Sequence, residues 1–427
     1  MSHIGLSIAY RRRLIDPYLD EVLTQLPGVL VVGPRAAGKT TTFGLRAQTI
    51  VRLANEAEAA AFRADADAAL RGLPEPVLLD EWQEVPTVFG AAARAINESP
   101  TPARFFLTGS VDAHLQNKVY AGSGRIVRMA MYPMTVREKR GKVDGETFFD
   151  KVAEGKALTV PSNTPDIRGY VDLALESGFP VQSLILSGTA RTDSLEAYVS
   201  DLLTHDIPQF EELQGADRQR QRRRDPERLR RFFEAYALNS AGIPSERTLL
   251  DAAQINAKTA KAYESLLTGL FIAEAVPAWT SNRLKRLALR PKRYLIDAAL
   301  IAAALRIDAN GVMRDGDLLG RVLDTFVAAQ LRPELAVSKS RPRLHHLRTQ
   351  NGREEVDILA ELGGERVIGI EIKANAAPRA NDDDKHLVWL RDQLGDRFVA
   401  GIVFHTGPRL YPLNDRIVAA PMSALWG

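Results

Sequence analysis

Short apolar runs alternate with amphipathic, helix-like stretches through the first third of the chain. Four of the runs have the length and composition of buried strands, and they lie at 28–32, 77–79, 104–107 and 126–131. An alanine-rich helix is predicted between the first two runs, because Gly72 and Pro74 supply a stop signal. This alternation predicts an α/β domain in which helices cover both faces of a parallel sheet.

The pattern changes after about residue 140. The segment 141–228 is predicted to be mostly helical. Within 229–310, a helix-turn-helix over 248–270 is followed by a basic hairpin with strands near 272–279 and 287–296, which is the element order of a winged helix. The last segment, 311–427, returns to a mixture of helix and strand. The pattern therefore predicts four successive parts.

The composition is that of a globular protein with several domains. The chain has 427 residues, of which 45% are apolar and 26% charged, and it has no cysteine. The lack of cysteine excludes disulfides, thiolate zinc sites and cysteine nucleophiles, and it fits a reducing cytosol. The 56 basic residues nearly balance the 53 acidic ones, and the longest apolar run is too short to span a bilayer. We expect a cytoplasmic protein without a membrane anchor.

A phosphate-binding loop follows the first predicted strand. The sequence from Gly33 to Thr40 fits the pattern GxxxxGK[ST] in the strand, loop and helix context that this pattern requires. Glycines at both ends let successive amide groups point inward at a phosphate. Lys39 is predicted to bridge the β- and γ-phosphates of ATP, and Thr40 to bind Mg²⁺. The predicted nucleotide-binding residues are Gly33, Pro34, Arg35, Ala36, Ala37, Gly38, Lys39, Thr40 and Thr41.

Acidic and hydroxyl side chains end the next two predicted strands. Asp80 and Glu81 follow the run 77–79, at the strand end where parallel sheets bind ligands. Asp80 is predicted to hold Mg²⁺, and Glu81 to act as the general base that activates water. Thr108 and Ser110 follow the third strand, and either is a candidate for positioning that water. Adjacent acids are also common capping residues, so this interpretation depends on their combination with the loop.

These motifs resemble a known family. The segments GPRAAGKTTT, VLLDEWQEVP and FFLTGS are similar to motifs of the bacterial and archaeal AAA-superfamily ATPases that carry a C-terminal domain of unknown function of the DUF4143 type. The segments PKRYLIDAAL, LLGRVLDTFVAAQL, REEVDIL and GIEIKA look like blocks of that second domain. The resemblance implies a three-layer P-loop domain at 1–140 that uses ATP. The predicted order continues with a helical connector at 141–228, a winged helix at 229–310 and a mixed α/β domain at 311–427.

The element order of 311–427 resembles the PD-(D/E)XK core of restriction-endonuclease-like proteins, with Asp357 followed by Glu371 and Lys373. A turn at 363–365 would bring the apolar residues of two strands onto one face, by pairing Val356 with Ile372, Ile358 with Ile370 and Ala360 with Ile368. The same register sets Asp357 directly opposite Glu371, with Lys373 on the same face.

Two carboxylates and a lysine in this arrangement can bind Mg²⁺ and orient a water for attack on a phosphodiester. The same three residue types are also ordinary on an exposed strand, so both interpretations stay open. Asp324 stands where the family's helix usually has a glutamate, and its side chain is one methylene shorter. This departure puts in doubt any metal contact from that helix.

Basic side chains in the third segment are candidates for nucleic-acid contact. An apolar stripe on the second helix of the helix-turn-helix leaves Lys258 and Lys261 on its exposed face. The hairpin adds the basic residues Arg283, Lys285, Arg286, Arg290, Lys292 and Arg293. Winged helices attached to ATPases also act as lids and docking surfaces. DNA or RNA is one candidate partner, and a second copy of the chain is another.

Three functions agree with these motifs. The first is an Mg²⁺-dependent ATPase coupled to a C-terminal region that binds DNA or another partner. The second is a nucleotide-gated binding switch with little turnover. The third is a metal-dependent nuclease built on Asp324, Asp357, Glu371 and Lys373, which we rank last because such domains are often kept as binding platforms.

Overall fold

The computed structural model of the protein describes residues 9–111, 124–213, 226–280, 289–349 and 352–427. The strands in these ranges are β1 (Gly28–Val32), β2 (Thr49–Arg52), β3 (Val77–Asp80), β4 (Phe105–Gly109), β5 (Ile126–Ala130), β6 (Ala273–Val276), β7 (Lys292–Leu295), β8 (Arg343–Arg348), β9 (Glu355–Glu361), β10 (Val367–Ile372), β11 (Phe398–His405), β12 (Tyr411–Asn414) and β13 (Ile417–Pro421).

The helices of the N-terminal half are α1 (Ile15–Val22), α2 (Lys39–Gly44), α3 (Glu56–Ala64), α4 (Ala66–Leu70), α5 (Thr87–Glu98), α6 (Val136–Lys139), α7 (Phe148–Ala153), α8 (Ile167–Leu175), α9 (Pro180–Leu184), α10 (Gly188–Asp201) and α11 (Ile207–Leu213). Those of the C-terminal half are α12 (Pro226–Leu238), α13 (Glu246–Ala253), α14 (Ala257–Gly269), α15 (Ala299–Leu305), α16 (Ala309–Arg314), α17 (Gly316–Leu331) and α18 (Lys385–Leu394). A π-helical stretch, Leu202–Asp206, joins α10 to α11.

A five-stranded parallel sheet with the order β2-β3-β4-β1-β5 forms the centre of the N-terminal part. Side chains of β1 alternate between its faces, so that Leu30 and Val32 join one apolar cluster and Val29 and Val31 join another. Helices cover both faces, and the predicted three-layer α/β class is confirmed. Because β4 lies between β1 and β3, the carboxyl ends of these three strands meet at one edge.

The helix-turn-helix forms where the sequence predicts it, from α13 and α14. Gln254 at the turn adopts a left-handed conformation with φ 52°. Asn256 caps α14, because its side chain accepts a hydrogen bond from the Thr259 N–H at 2.9 Å. β6 and β7 then pair in antiparallel order. The segment 281–288, which holds part of the predicted hairpin, lies outside the described residues, and the winged helix stays a prediction.

The C-terminal part contains a mixed six-stranded sheet with the order β12-β13-β11-β10-β9-β8. Across the turn between β9 and β10, the Leu362 N–H donates to the Arg366 carbonyl oxygen at 2.7 Å. The apolar pairs of this hairpin that agree with the prediction are Ala360 with Ile368 and Ile358 with Ile370. Turn length and apolar pattern therefore predict this part of the register correctly.

A bulge in β9 changes the register further along the strand. β8 advances two residues from His345 to Leu347, whereas β9 advances three from Leu359 to Val356. The extra residue breaks the alternation of side chains along β9. As a result, Val356 packs with Leu359 in the cluster on one face of the sheet, whereas Ile358 belongs to the cluster on the other.

The bulge overturns one part of the predicted hairpin. The β9–β10 ladder stops before it reaches Val356, so the predicted pair of Val356 with Ile372 does not form. Asp357 is therefore not directly opposite Glu371 in the ladder. Instead, the Ile372 N–H donates to the Asp357 carboxylate at 3.1 Å, in the place where a ladder hydrogen bond would have formed.

One apolar cluster runs through most of the chain that follows the parallel sheet. Its members come from α7, α8, α12, α14 and α17 and from one face of the six-stranded sheet. Ring contacts illustrate this continuity, because Phe148 packs on Phe404 and Tyr170 packs on Trp426. In the described ranges, none of the helices combines the length and the apolar character that a membrane-spanning helix requires.

Candidate active site

The predicted phosphate loop connects β1 to α2 in a conformation that requires glycine. Gly33 has φ +153°, and a Cβ atom there would lie 2.1 Å from the Met131 carbonyl oxygen. Gly38, the residue before α2, has φ +97°. Ala36 between them is also left-handed, with φ 64°. These positive φ values form the tight loop that the spacing of the glycines predicts.

Lys39 and Thr40 point toward the acidic end of β3. The Lys39 ammonium is buried and donates to the carbonyl oxygens of Gly33 and Pro34, both at 2.9 Å. Burial lowers the pKa of Lys39, while the nearby carboxylates of Glu81 and Asp80 oppose this shift. The Thr40 hydroxyl donates to Asp80 Oδ1 at 2.7 Å.

This pair of oxygen groups fits Mg²⁺. A threonine hydroxyl and an aspartate carboxylate are hard oxygen ligands, and Mg²⁺ in phosphate sites takes one or two such protein ligands together with phosphate and water. Thr40 and Asp80 would therefore hold the ion directly or through water. When bound, Mg²⁺ would neutralise charge on the phosphates.

Glu81 and Asp80 have different hydrogen-bond partners, which separates their roles. The Thr108 hydroxyl donates to Asp80 Oδ1 at 2.5 Å, whereas the Ser110 hydroxyl donates to Glu81 Oε2 at 3.3 Å. Gln83 also donates to Glu81 Oε2, at 2.6 Å. Glu81 itself has a left-handed backbone with φ 53°. Of the two predicted water-positioning residues, only Ser110 contacts the predicted general base.

A second polar cluster lies where β7, α17 and β9 meet. The Lys292 ammonium donates to Asp324 Oδ2 at 2.6 Å and to Asp357 Oδ1 at 3.1 Å. The Tyr294 hydroxyl donates to Asp324 Oδ1 at 3.0 Å. Burial works against the charged form of Lys292, but the two carboxylates raise its pKa well above the ordinary value. The same lysine holds the pKa of Asp357 below its usual value although burial alone would raise it.

Glu371 and Lys373 form a separate pair beside this cluster. The Lys373 ammonium donates to Glu371 Oε2 at 3.0 Å. Burial and the neighbouring Asp357 raise the pKa of Glu371 to about 8. The four residues of the predicted nuclease-like site thus lie in one region but form two groups. Asp324 and Asp357 accept from Lys292, whereas Glu371 accepts from Lys373. In the described part of the chain, no three His, Asp or Glu side chains are arranged to hold a metal ion.

Two basic residues of the predicted hairpin are not exposed. Lys292 is only 2% exposed, and Arg293 is 8% exposed. The Arg293 guanidinium donates to Glu264 Oε1 at 2.6 Å. The prediction that these two side chains contact phosphates from the surface is therefore wrong, because β7 packs its charges against acidic residues of neighbouring elements.

Three family models match successive parts of the chain. Residues 26–139 match a family described as an AAA domain, and residues 319–425 match DUF4143, a domain of unknown function. The chain joins an AAA domain to a DUF4143 domain. Between them, residues 167–311 match DUF8612, another domain of unknown function. The resemblance stated from the motifs is confirmed.

Two mycobacterial relatives match almost the whole of this chain. The uncharacterized protein Rv2008c of Mycobacterium tuberculosis is 27% identical over 415 residues, which cover 96% of this chain and 83% of the relative. The uncharacterized protein Mb2031c of Mycobacterium bovis gives the same values. Among solved structures, the Aeropyrum pernix ORC2 protein (ADPNP–ADP complexes) is 12% identical, with 74% of this chain and 93% of that chain covered and a TM-score of 0.32. This TM-score is too low for the likeness to support an argument.

A cavity of about 310 Å³ opens beside the phosphate loop of the AAA domain. One wall consists of loop residues and Glu81. The other walls come from the N-terminal segment and from α9, through Ala9, Tyr10, Arg11, Pro180, Val181 and Leu184. None of these residues could be predicted from the sequence, because they lie outside every motif and are far from the loop in sequence. Val181 is an exposed apolar residue, which is a signal for a site, but its exposure cannot be read from the sequence.

Arg13 fixes the N-terminal segment to the phosphate loop. Its guanidinium donates to the Ala37 carbonyl oxygen at 2.9 Å, to the Tyr132 carbonyl oxygen at 2.7 Å and to Glu138 Oε1 at 3.0 Å. The residue is 3% exposed. The role of Arg13 could not be predicted from the sequence either, because the residues around it form no pattern that distinguishes a buried arginine from an exposed one.

Arg35, at the tip of the phosphate loop, reaches the region matched by DUF8612. Its guanidinium donates to Asp206 Oδ1, at the end of the π-helical stretch, at 2.7 Å. The Tyr198 hydroxyl on α10 donates to the Arg35 carbonyl oxygen at 3.3 Å. The loop of the AAA domain is thus bonded to the helical region by both the side chain and the backbone of one residue.

The predicted nucleic-acid contacts are only partly described. Lys258 and Lys261 are exposed on α14, as predicted. Arg283, Lys285 and Arg286 lie outside the described residues.

Proposed function

We propose that this chain is an Mg²⁺-dependent ATPase that binds ATP at its phosphate loop. The observation that carries the proposal is the convergence of Lys39, Thr40, Asp80 and Glu81 at the carboxyl ends of β1 and β3, next to a cavity of about 310 Å³. Lys39 supplies positive charge for the terminal phosphates, and Thr40 and Asp80 supply ligands for Mg²⁺. Glu81 accepts a proton from the attacking water.

Two substitutions test this function separately at the binding and chemical steps. Lys39→Ala is expected to weaken ATP binding strongly, because the loop loses its only side-chain ammonium. Glu81→Gln is expected to keep ATP affinity and to lower turnover by about 100-fold or more, because an amide cannot accept the proton. Steady-state ATP hydrolysis and calorimetry with a non-hydrolysable analogue measure both effects.

The matched controls are Lys156→Ala and Glu98→Gln, which remove the same charges from exposed positions distant from the loop. Both are expected to behave as the unmodified protein does. Wild-type turnover in Lys39→Ala and in Glu81→Gln would refute the proposal.

A nucleotide-gated switch with slow turnover is a second candidate. It is favoured by the two hydrogen bonds that Glu81 Oε2 accepts from Gln83 and Ser110, because these donors occupy one oxygen of the proposed general base. The link from Arg35 to Asp206 gives the nucleotide state a path to the helical region. Turnover no faster than nucleotide dissociation would favour the switch, and turnover much faster than dissociation of ATP would exclude it.

We include contact with DNA or RNA in this proposal, as the candidate function to which ATP binding and hydrolysis are coupled. It is supported by the exposed Lys258 and Lys261 on the second helix of the helix-turn-helix. If both contact phosphates, the double substitution to alanine lowers the slope of log affinity against log salt by about 2. Fluorescence anisotropy with a labelled duplex measures this slope. A slope that does not change would remove these lysines from the interface.

A further inference from the structure

The two aspartates that the nuclease-like resemblance assigns to a metal, Asp324 and Asp357, already accept hydrogen bonds from groups of this chain. Asp324 Oδ1 accepts from the Tyr294 hydroxyl, and Asp324 Oδ2 accepts from Lys292. Asp357 Oδ1 accepts from Lys292, and Asp357 Oδ2 accepts from the Ile372 N–H. Each of the four oxygens therefore has a hydrogen-bond donor before any ion is considered.

The Lys292 ammonium is equally well satisfied. An ammonium group has three N–H donors. Lys292 uses them on Asp324 Oδ2 at 2.6 Å, on Asp357 Oδ1 at 3.1 Å and on the Asp357 carbonyl oxygen at 3.3 Å. Its side chain is 2% exposed and comes from β7, outside the β9–β10 hairpin that carries Asp357. The cation is therefore held by three acceptors from two other elements.

A divalent ion would compete with Lys292 for the position between these carboxylates. An ion that bridges Asp324 Oδ2 and Asp357 Oδ1 would meet the ammonium group that already contacts both oxygens, so that two positive centres would share one site. Mg²⁺ also needs about six oxygen ligands in a regular arrangement. Glu371 would add one free oxygen at most, because Oε2 accepts from Lys373 and Oε1 has no partner among the described residues.

We propose that Lys292 takes the place of the metal ion in the nuclease-like site, so that Asp324 and Asp357 bind this chain's own ammonium group and the site holds no divalent cation. The cluster then acts as an internal clamp. It joins the β6–β7 hairpin, α17 and the six-stranded sheet through one buried charge. The DUF4143 domain keeps the carboxylates of the nuclease-like arrangement and uses them to fix the hairpin in position.

Binding of Mn²⁺ to the full chain without nucleotide tests this proposal. All variants carry Asp80→Asn, which removes the other candidate metal site. The first comparison is between Asp80→Asn and the double variant Asp80→Asn with Asp357→Asn. We expect electron paramagnetic resonance to show the same free Mn²⁺ in both. One bound Mn²⁺ per chain that disappears with Asp357→Asn would overturn the proposal.

The second comparison removes the ammonium. Lys292→Met, also in the Asp80→Asn background, keeps the length of the side chain and leaves the two carboxylates without their cation. We expect it to gain one Mn²⁺ per chain and to show a rise in Tm with Mn²⁺ that the parent lacks. Lys373→Met is the control and is expected to gain neither. A folded Lys292→Met variant without the gain would overturn the proposal, and if that variant does not fold, the first comparison decides.

Discussion

Buried charged residues in this protein lie where segments distant in sequence meet. Arg13 joins the N-terminal segment to the phosphate loop, and Lys292 joins β7 to α17 and β9. Glu334 is a third case, because it accepts from the Arg137 guanidinium at 3.0 Å and from the Phe148 N–H at 2.6 Å. Removing one partner from such a buried pair leaves the other charge unpaired, which commonly costs about 3–5 kcal/mol. These residues are therefore sensitive points for stability.

Glu334 gives the protein a predicted pH dependence. Burial raises the pKa of its carboxyl from 4.5 to about 7. Between these two pH values the folded protein keeps a proton that the unfolded chain has lost. The free energy of unfolding therefore falls as the pH rises through this window, by up to about 3 kcal/mol.

The substitution Glu334→Gln removes this titration and keeps an oxygen that can accept from Phe148. We expect the Tm of the variant to improve relative to the unmodified protein as the pH rises from 5 to 8. Differential scanning calorimetry at several pH values measures the difference, with Glu98→Gln as an exposed control. A difference in Tm that stays constant from pH 5 to 8 would contradict the assignment to Glu334.

At the scale of elements, small irregularities determine where functional groups point. The bulge in β9 turns Val356 to the opposite face and directs the Asp357 carboxylate toward Lys292 and the Ile372 N–H. The π-helical stretch after α10 ends at Asp206, which binds Arg35 of the phosphate loop. The short helix α9 carries Val181 to the cavity beside that loop. Bulges and π-helical turns are common near functional sites. Here the bulge lies beside the cluster around Lys292, and the π-helical stretch lies beside the phosphate loop.

The position of α9 predicts an effect on nucleotide affinity. Val181 is 44% exposed and lines the cavity beside the loop. Val181→Asp is expected to weaken ATP binding about tenfold or more, because it replaces an apolar contact with a negative charge near a polyanion. Since the side chain is partly exposed, the Tm is expected to change little.

Calorimetric titration with a non-hydrolysable ATP analogue measures the affinity. Leu238→Asp is the matched control, because Leu238 is 47% exposed and lies on α12, away from the cavity. If both variants bind the analogue as tightly as the unmodified protein does, α9 does not take part in the nucleotide site.

At the scale of the whole molecule, one apolar cluster crosses the predicted boundaries near residues 228 and 310. It includes Phe232 of α12, Tyr263 of α14 and Phe326 of α17, together with one face of the six-stranded sheet. Lys292 and Arg332, both buried, add ion pairs across the boundary near residue 310, to Asp324 and Glu274 respectively. The predicted boundaries stay predictions, but we infer that the parts they separate form one cooperative unit.

This inference predicts how fragments behave. A fragment of residues 311–427 would expose the face of its sheet that packs on the helical region, and we expect it not to fold alone. A fragment of residues 131–427 keeps both sides of the cluster and is expected to fold. Dispersion of amide signals in two-dimensional NMR spectra distinguishes the two cases. A well-dispersed spectrum from 311–427 would show that the domain is independent.

The sequence alone determined the features that depend on short segments. The phosphate loop, Asp80 and Glu81 could be predicted because glycine spacing, an apolar strand and the residues after it are local in the chain. The hairpin register was correct up to Ile358 and Ile370 for the same reason, since turn length and alternation fix it. The alternation of apolar and polar residues could not reveal the bulge, because the position of the extra residue in β9 depends on how β9 pairs with β8.

Only the tertiary structure decided the roles of side chains whose partners come from distant segments. A lysine in a basic hairpin has the same sequence signature whether it faces solvent or two buried carboxylates, so Lys292 was assigned to the wrong environment. Val181 and Arg13 lie at the proposed nucleotide site because packing brings the N-terminal segment and α9 to the loop. The periodicity of apolar residues indicates which face of an element is buried, whereas the packing of the whole chain determines which partner covers that face.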